Sequence, residues 1–581
     1  MELLSINRLS KLGMSLPKNK ILLSALLGYL KFNTINRLFA NYLNGYRGIS
    51  FVERLLDTLN ISFEIPTEEL KNLPKKGPYI VISNHPFGFL DGLIMMDVCG
   101  RHNKDFKVLA NFFLNEFEPL QDHFISLNPF ESKTQMNIDG MRKGFKHLKE
   151  GKPLGIFPAG EVSSWQKGCR MVEDKEWDAA VIKFIRLANV PIVPIYFFGG
   201  NSFWFHLLGK IHPYLRTLSI PSEFFRKKNQ SVRLRIGKPI KAKELAEFET
   251  NDKAGRYLRT YLYALGKFAK NKHFFKVNFK LVKKPKRIIE PVAVEEIERE
   301  LLRLRNQDGL LFRKSNYEVF FSGSHQIPWV LREIGRLREI TFREVGEGTN
   351  KKIDVDKFDL YYWHLFVYDV DNHQIIGAYR MGFGADILNQ FSKKGFYITT
   401  LFDLDDQFIP ILSQTIELGR SFVIKAYQQK PLPLFLLWQG ILTVLKKNPT
   451  YKYLLGPVSI SNDFSEYSKE LIIAFVRKNY YNHDLAKWVY PHMAFKPQKS
   501  KIDIDIILES KSNDLLKLDQ FISGIEPKYL KIPVLLKQYF KQNAKIIGFN
   551  IDPDFNYSLD GLIILNMEDA PENTYDFLNK A

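Results

Sequence analysis

The chain has 581 residues, 45% hydrophobic and 25% charged, with a formal net charge of +20. That length exceeds what one hydrophobic core serves, and that composition excludes a disordered chain. Two cysteines, Cys99 and Cys169, neither in a CxxC, argue against a disulfide framework or zinc site and fit a reducing compartment.

Residues 1–60 read as helical. Leu3, Leu4, Ile6, Leu9 and Leu12 alternate with Asn7, Arg8 and Lys11, and Ile21 to Phe32 is more apolar, flanked by Lys18, Lys20 and Lys31. Two readings stand: a helix lying in a membrane interface, or one packed on the following domain. No stretch of the chain reaches the roughly 18 consecutive apolar residues of a spanning helix. The N-terminus also lacks a small-residue cleavage site after a long apolar core, so no signal peptide is expected.

Residues 77–200 alternate strand and helix. Strands are expected at 79–83, 106–110, 154–157 and 192–198, and helices at 92–99, 138–149 and 178–188, which argues for a parallel or mixed α/β sheet. The first strand runs into Ser83-Asn84-His85-Pro86-Phe87-Gly88, with Asp91 close behind. Strand C-terminal ends are where open α/β sheets place their chemistry. An imidazole there can take a proton from a hydroxyl, with a carboxylate on its other nitrogen fixing the tautomer. No Ser or Cys nucleophile is needed if the hydroxyl belongs to the substrate. A lone His capping a helix is the plainer alternative. The third strand ends likewise in Phe157-Pro158-Ala159-Gly160-Glu161, and the fourth reads VPIVPIYFFGGN over 190–201.

These three stretches, in this order, resemble the glycerolipid acyltransferase superfamily. Asn84, His85 and Asp91 match its first block, Phe157, Pro158, Gly160 and Glu161 its third, and Val193, Pro194 and Ile195 its fourth. The resemblance implies that His85 and Asp91 are catalytic, and that Asn84, Gly88, Phe157, Pro158, Gly160 and Glu161 bind substrate. Two departures stand out. Five residues separate His85 from Asp91 where four are usual, and the arginine expected after the third-block glycine is absent, which argues against glycerol 3-phosphate as acceptor. The form NHPxGxxDG with FPAGE is similar to the branch that acylates lyso-ornithine lipids and related lyso-aminolipids. Arg142 and Lys143 lie about where the family has its anion-contacting second block; surface charge on a helix accounts for them equally. The Phe-rich stretches 112–117 and 197–205 fit either an acyl channel or a core.

Charge is unevenly spread. Residues 201–290 carry 22 Lys and Arg against 6 Asp and Glu, a surplus of +16, while residues 291–581 carry 36 against 37. Such a block attracts anionic headgroups or an acidic protein. Nucleic acid is a rival partner, yet no zinc finger, RNP-like motif or helix-turn-helix accompanies it. A solvated basic face is the remaining reading. Pro285 and Pro291 with the charge run KKPKR mark a linker near 280–292.

Beyond the linker, 292–305 and 331–342 read as helices. Residues 359–369 and 374–381 read as a hairpin turned at Asp371-Asn372, and 414–423 as a strand bearing Glu417 and Arg420. The set Arg338, Phe342, His364, Gly377, Tyr379-Arg380 and Glu417-Leu418-Gly419-Arg420, with the segment GFNIDPDFNYSLDGL, resembles the acetyltransferase-like (GNAT) fold, in the branch of ornithine N-acyltransferases and acyl-homoserine-lactone synthases. The resemblance implies that Glu417 is a catalytic proton acceptor and that Arg338 and Arg420 bind substrate, Arg420 through a carboxylate. A structural Glu–Arg pair is the alternative. No pyrophosphate-binding loop follows Arg420, which favours a carrier-protein donor over CoA.

The chain is thus expected to be α/β with two domains: interfacial helices over 1–76, an O-acyltransferase domain over 77–285, a linker at 286–294 and a GNAT-like N-acyltransferase domain over 295–570. The fusion resembles the bifunctional ornithine-lipid, or aminolipid, synthases. It implies that the second domain joins a 3-hydroxyacyl group to an amino acid, by resemblance ornithine, and that the first esterifies the new hydroxyl. The expected donor is an acyl-carrier-protein thioester or acyl-CoA, with no tightly bound cofactor and no metal. Expected partners are acyl carrier protein, an anionic membrane surface, a lyso-lipid and an amino acid, not nucleic acid. The expected location is the cytoplasm, peripheral on the inner face of the cytoplasmic membrane. The alternatives are a single-activity lysophospholipid acyltransferase with a non-catalytic second domain, a haemolysin-like membrane binder, and a nucleic-acid-binding protein.

Overall fold

The computed structural model describes residue 28 and residues 31–111, 118–127, 135–165, 172–211, 213–267, 285–497, 503–511, 513–527 and 530–574. The helices expected before residue 28 and the Phe-rich stretch 112–117 lie outside the described residues. The chain divides into two compact units. One comprises Met1–Lys272, Lys501–Ser512 and Ser523–Tyr529, the other His273–Ser500, Asn513–Ile522 and Leu530–Ala581. Residues 501–512 and 523–529, expected within 295–570, thus group with the first unit. There Arg256 pairs with Asp503 at 2.6 Å, and the Lys511 Nζ donates to the Tyr257 hydroxyl at 3.1 Å.

In the first unit, α1 (Gly48–Thr58) buries Phe51, Val52, Leu55 and Leu56, an apolar stripe at helical spacing. The strands are β1 (Ser62–Glu64), β2 (Ile80–Ser83), β3 (Lys107–Asn111), β4 (Phe124–Leu127), β5 (Leu154–Ile156), β8 (Ile192–Phe197) and β9 (Ser231–Ile236), with a small antiparallel pair β6 (Ser164–Trp165) and β7 (Val172–Glu173). The seven-stranded sheet runs β1-β9-β8-β2-β5-β3-β4, parallel throughout except for the antiparallel β8–β9 pair. Central β2 is buried at all four positions, as continuous apolar strands in parallel sheets are.

Between the strands run α2 (Phe89–His102), α3 (Gln135–Lys149) and α4 (Ala179–Ala188). The start of α4 is set by Asp178, whose carboxylate accepts from the N–H groups of Ala180 and Val181, and its end by Asn189 in the left-handed region, φ 51°. After β8 the chain forms a helical pair, α5 (Phe203–Ile211) and α6 (Pro213–Arg226), and after β9 the long α7 (Asn251–Leu265).

The second unit opens with α8 (Val294–Asn306) and α9 (Pro328–Glu344) around β10 (Leu310–Lys314) and β11 (Tyr317–Gly323). The hairpin is present as β12 (Trp363–Asp369) and β13 (Gln374–Phe383); residues 357–360, just before it, form a 3-10 turn. There follow β14 (Phe402–Leu404), β15 (Thr415–Val423), α10 (Pro431–Lys447), β16 (Tyr453–Ile460), α11 (Glu466–Asn479), β17 (Val489–Pro491), α12 (Val534–Lys541), β18 (Lys545–Asp552) and β19 (Ser558–Asn566). The main sheet has eight strands, β10-β11-β12-β13-β15-β16-β19-β18. Every neighbour is antiparallel except β15–β16, which pair in parallel over only Thr415–Glu417 and Tyr453–Leu455. Past that point the two strands part.

Candidate active sites

The three blocks of the first unit lie on adjacent strands, β5-β2-β8. His85 follows β2, Phe157 to Glu161 follow β5, and Val193 to Ile195 are in β8. The turn Phe87-Gly88 is tight because Gly88 takes φ 81°, and a Cβ there would lie 3.1 Å from Val162 Cγ2. Asp91, in the first turn of α2, folds its carboxylate back over that turn. Its Oδ2 accepts from the N–H groups of Phe87 and Gly88 at 2.8 and 3.0 Å and lies 3.1 Å from His85 Nδ1. The one-residue-longer spacing is absorbed by this backbone turn. The Nδ1–Oδ2 approach is close but misses hydrogen-bond alignment, so it is an electrostatic contact here.

Asp91 is fully buried, and burial raises its carboxyl above the ordinary range against the pull of His85 and the two N–H groups. The His85 side chain is 18% exposed, with Nδ1 on the closed side. Its ring packs against Phe157 at a tilt of 31°, centroids 4.1 Å apart. An imidazole backed by a buried carboxylate and reaching the surface can move a proton between an acceptor hydroxyl and a leaving group.

The remaining expected residues of this site are placed as follows. Asn84 spans to β8, its amide donating to the Phe197 carbonyl at 2.9 Å and accepting from the Phe197 N–H at 2.8 Å. Gly160 takes φ 68° and has open space where a Cβ would go. The Pro158 carbonyl accepts from the Asp178 N–H at 3.2 Å. Glu161 is held by Arg216 at 2.6 Å and Lys175 at 3.1 Å, so α6 delivers a guanidinium to the loop that lacks its own. Arg142 and Lys143 are exposed on α3, Arg142 within 3.7 Å of Asp139.

Sequence reasoning missed Asp174. Its buried Oδ1 accepts from the His85 N–H at 3.2 Å and the Ser163 hydroxyl at 2.5 Å, while the His85 carbonyl accepts from the Ser163 N–H at 2.8 Å. It missed Lys227 too, whose Nζ lies 4.6 Å over the Phe87 ring and donates to the Gly200 carbonyl at 2.9 Å. Neither sits in a recognisable local pattern.

In the second unit Glu417 is buried in β15. It accepts from the Tyr362 hydroxyl, from the Tyr397 N–H at 3.0 Å and from the Ile398 N–H at 2.8 Å. Burial pushes its carboxyl up to about 6, with these donors and Arg380 pulling the other way. Arg380 is fully buried and cation–π stacked against Phe358, Tyr362 and Tyr397, 5.2 to 5.5 Å from each centroid. Its Nη1 donates to Asp356 at 2.7 Å.

Arg420 adopts φ 50°, an uncommon conformation for a non-glycine residue, where β13 and β15 shift register. It lies 3.4 Å from Asp356 and 4.5 Å over the Phe555 ring. Arg338 is buried, its guanidinium bidentate on Asp359 at 2.9 Å and bound to Asp354, so it ties the interior together. Glu417, Arg420 and Arg380 thus share one site with Tyr362, Tyr397 and Asp356. Where β15 and β16 part, Leu418, Gly419, Ser421, Gly456, Val458 and Tyr539 line a cleft of about 360 Å3, open mouth included.

The chain is an acyltransferase, and each unit matches an acyltransferase family. The family described as "Acyltransferase" matches residues 30–271, and that described as "Acetyltransferase (GNAT) domain" matches residues 337–439. A glycine N(alpha)-acyltransferase of Bacteroides thetaiotaomicron is 31% identical over 289 residues, 46% of this chain and 76% of that protein. A protein of the same name from Phocaeicola vulgatus is 31% identical over 292 residues, 46% of this chain and 85% of that one. A lyso-glycine lipid O-acyltransferase of B. thetaiotaomicron is 28% identical over 235 residues, 39% of this chain and 84% of that protein. The chain belongs to the aminolipid synthase family, with an acyltransferase domain fused to a GNAT domain.

Proposed function

We propose that the chain makes a diacylated aminolipid in two steps. The GNAT domain acylates the α-amine of an amino acid with a 3-hydroxyacyl group, and the acyltransferase domain esterifies the new hydroxyl with a second chain. The observation that carries this reading is that one chain, similar to an N-acylating and to an O-acylating enzyme, holds a buried carboxylate against His85 in one domain and the buried Glu417 in the other.

In the first step Glu417 takes the proton of the attacking ammonium. The amine attacks the thioester carbonyl, the C–S bond breaks as the amide bond forms, and the nitrogen's second proton passes to the sulfur, which leaves as the thiol along the β15–β16 cleft, a path that suits a pantetheine arm. Arg420, beside Asp356, takes the carboxylate; Arg338 holds Asp354 and Asp359 in place. In the second step His85 accepts the proton of the 3-hydroxyl as its oxygen attacks the second thioester, and returns it to the leaving thiol. Asp91 stabilises the imidazolium between these events. Gly160 and Glu161, braced by Arg216, form the acceptor wall. Asn84 holds β2 to β8 beneath it.

Glycine, acted on by the named relatives, is the first acceptor to test, ahead of the ornithine suggested by motif resemblance. A carrier-protein thioester is the preferred donor, with CoA the alternative. The first domain takes in α1 and β1 along with 77–285, and the second runs over 295–570 without residues 501–512 and 523–529. No described helix is long and apolar enough to cross a membrane. The proposed place of action is the inner surface of the cytoplasmic membrane. Mass spectrometry of lipids from a host expressing the chain, with and without added glycine or ornithine, tests the proposal. An N-acyl amino acid bearing an ester-linked second chain supports it. Phosphatidic acid formed from lysophosphatidic acid, with no aminolipid, replaces it by the single-activity alternative.

A further inference from the structure

The Phe-rich stretch 197–205 splits in the fold. Phe197 and Phe205 are buried, 0% and 1% exposed, whereas Phe203 and Trp204, at the start of α5, are 60% and 62% exposed. They touch each other edge-to-face at 5.9 Å, and Phe203 meets Trp165 of β6 in the same way at 5.0 Å. The Lys210 ammonium lies 5.1 Å over the Trp165 ring at the rim of this cluster. Two large rings held out in water cost solvation without a core to fill, and aromatics rimmed by lysine suit a lipid–water interface.

The cluster is fastened to the His85 loops. Trp165 lies two residues past Ser163, whose N–H holds the His85 carbonyl. On α6, Arg216 grips Glu161, and one turn later Ile220 packs against Gly88, 3.5 Å from where its Cβ would stand. The segment 201–228 carries five Lys and Arg (Lys210, Arg216, Arg226, Lys227, Lys228) against one acidic residue, Glu223. Apolar rings within a basic field fit an anionic bilayer.

We propose that the α5 tip, Phe203 and Trp204, is a wedge that inserts into an anionic lipid surface and seats the His85 site on it. This rests on the reading that the O-acyl acceptor is a lipid.

The test uses the full chain and vesicles of phosphatidylglycerol and phosphatidylethanolamine in equal parts. The double variant F203S/W204S should sediment with vesicles about tenfold less than wild type. Its thermal unfolding should be unchanged, as should its O-acylation of a short-chain lyso-acceptor kept below its aggregation concentration. Trp fluorescence quenching by brominated lipid should fall in W204F, which keeps the ring and the binding. Equal sedimentation of wild type and double variant overturns the proposal. So does a change of oligomeric state in the double variant with vesicle binding intact, which would make the cluster a protein interface. If wild type binds vesicles through this tip yet acylates no lyso-lipid, the docking surface stands and the proposed function fails.

Discussion

Asp174 accepts the backbone N–H of His85 at 3.2 Å from 89 residues away in the sequence. The same Oδ1 takes the Ser163 hydroxyl, so one buried carboxylate joins the loop after β2 to the loop after β5. The imidazole is therefore positioned from behind by a group that need not touch substrate. D174N keeps an amide oxygen for the two donors at Oδ1 but turns an NH2 against the Trp177 indole N–H, which donates to Oδ2 at 3.3 Å. It should destabilise the fold by about 1–3 kcal/mol and lower O-acylation while N-acylation persists, read by urea unfolding and by separate assays of each step.

H85A should cut O-acylation by about 10²–10⁴-fold, the usual contribution of a positioned base. The mono-acylated lyso-lipid then accumulates in lipid extracts. D91N should give a smaller loss, because an amide oxygen still accepts from the Phe87–Gly88 turn but no longer stabilises an imidazolium. Full diacyl product from H85A cells would remove His85 from the reaction.

N-acylation should follow the ionisation of Glu417. Its carboxyl, raised by burial to about 6, is the active base only when deprotonated. The rate should hold above that pH and fall below it, rather than near the ordinary glutamate value. E417Q should abolish the step at every pH. A wild-type rate in that variant would make Glu417 a structural residue.

Gly419 lines the β15–β16 cleft and has nothing within 4 Å of where a Cβ would stand. G419F should fill that space, raise the KM for the thioester donor about tenfold or more and leave O-acylation intact. An unchanged donor KM would place the acyl arm elsewhere.

His364 is buried, with Nε2–H donating to the Asp359 carbonyl at 3.1 Å, and burial lowers its pKa to about 4. Between pH 6.5 and 4 the unfolded chain binds a proton that the folded chain does not, so stability falls as pH falls through that window. By pH 5 the loss is about 2 kcal/mol. The stability gap between wild type and H364Q should narrow by that amount between pH 7.5 and 5, measured by urea unfolding at both values.

Much of the scaffold was legible in the residues. The strand at 79–83, the helix 178–188 and the hairpin turned at Asp371-Asn372 appear as β2, α4 and β12–β13 within a residue or a few. Apolar runs, a capping Asp178 and turn residues act over a few positions, so they survive in a linear reading. For the same reason His85 and Asp91 could be paired on paper: they lie within one strand–turn–helix.

Sequence alone determined the two-domain α/β plan, the surplus of basic residues before 290, and the local blocks carrying His85, Asp91 and Glu417. Tertiary structure alone decided what stands behind them: Asp174 under His85, Arg216 on Glu161, and Tyr362 donating to Glu417 across 55 residues. It also decided which aromatics face water, burying Phe205 and turning Trp204 out. Backbone periodicity and capping are short-range and written in neighbouring residues. The partner of a buried charge is chosen by how distant segments pack, and that choice leaves no local trace.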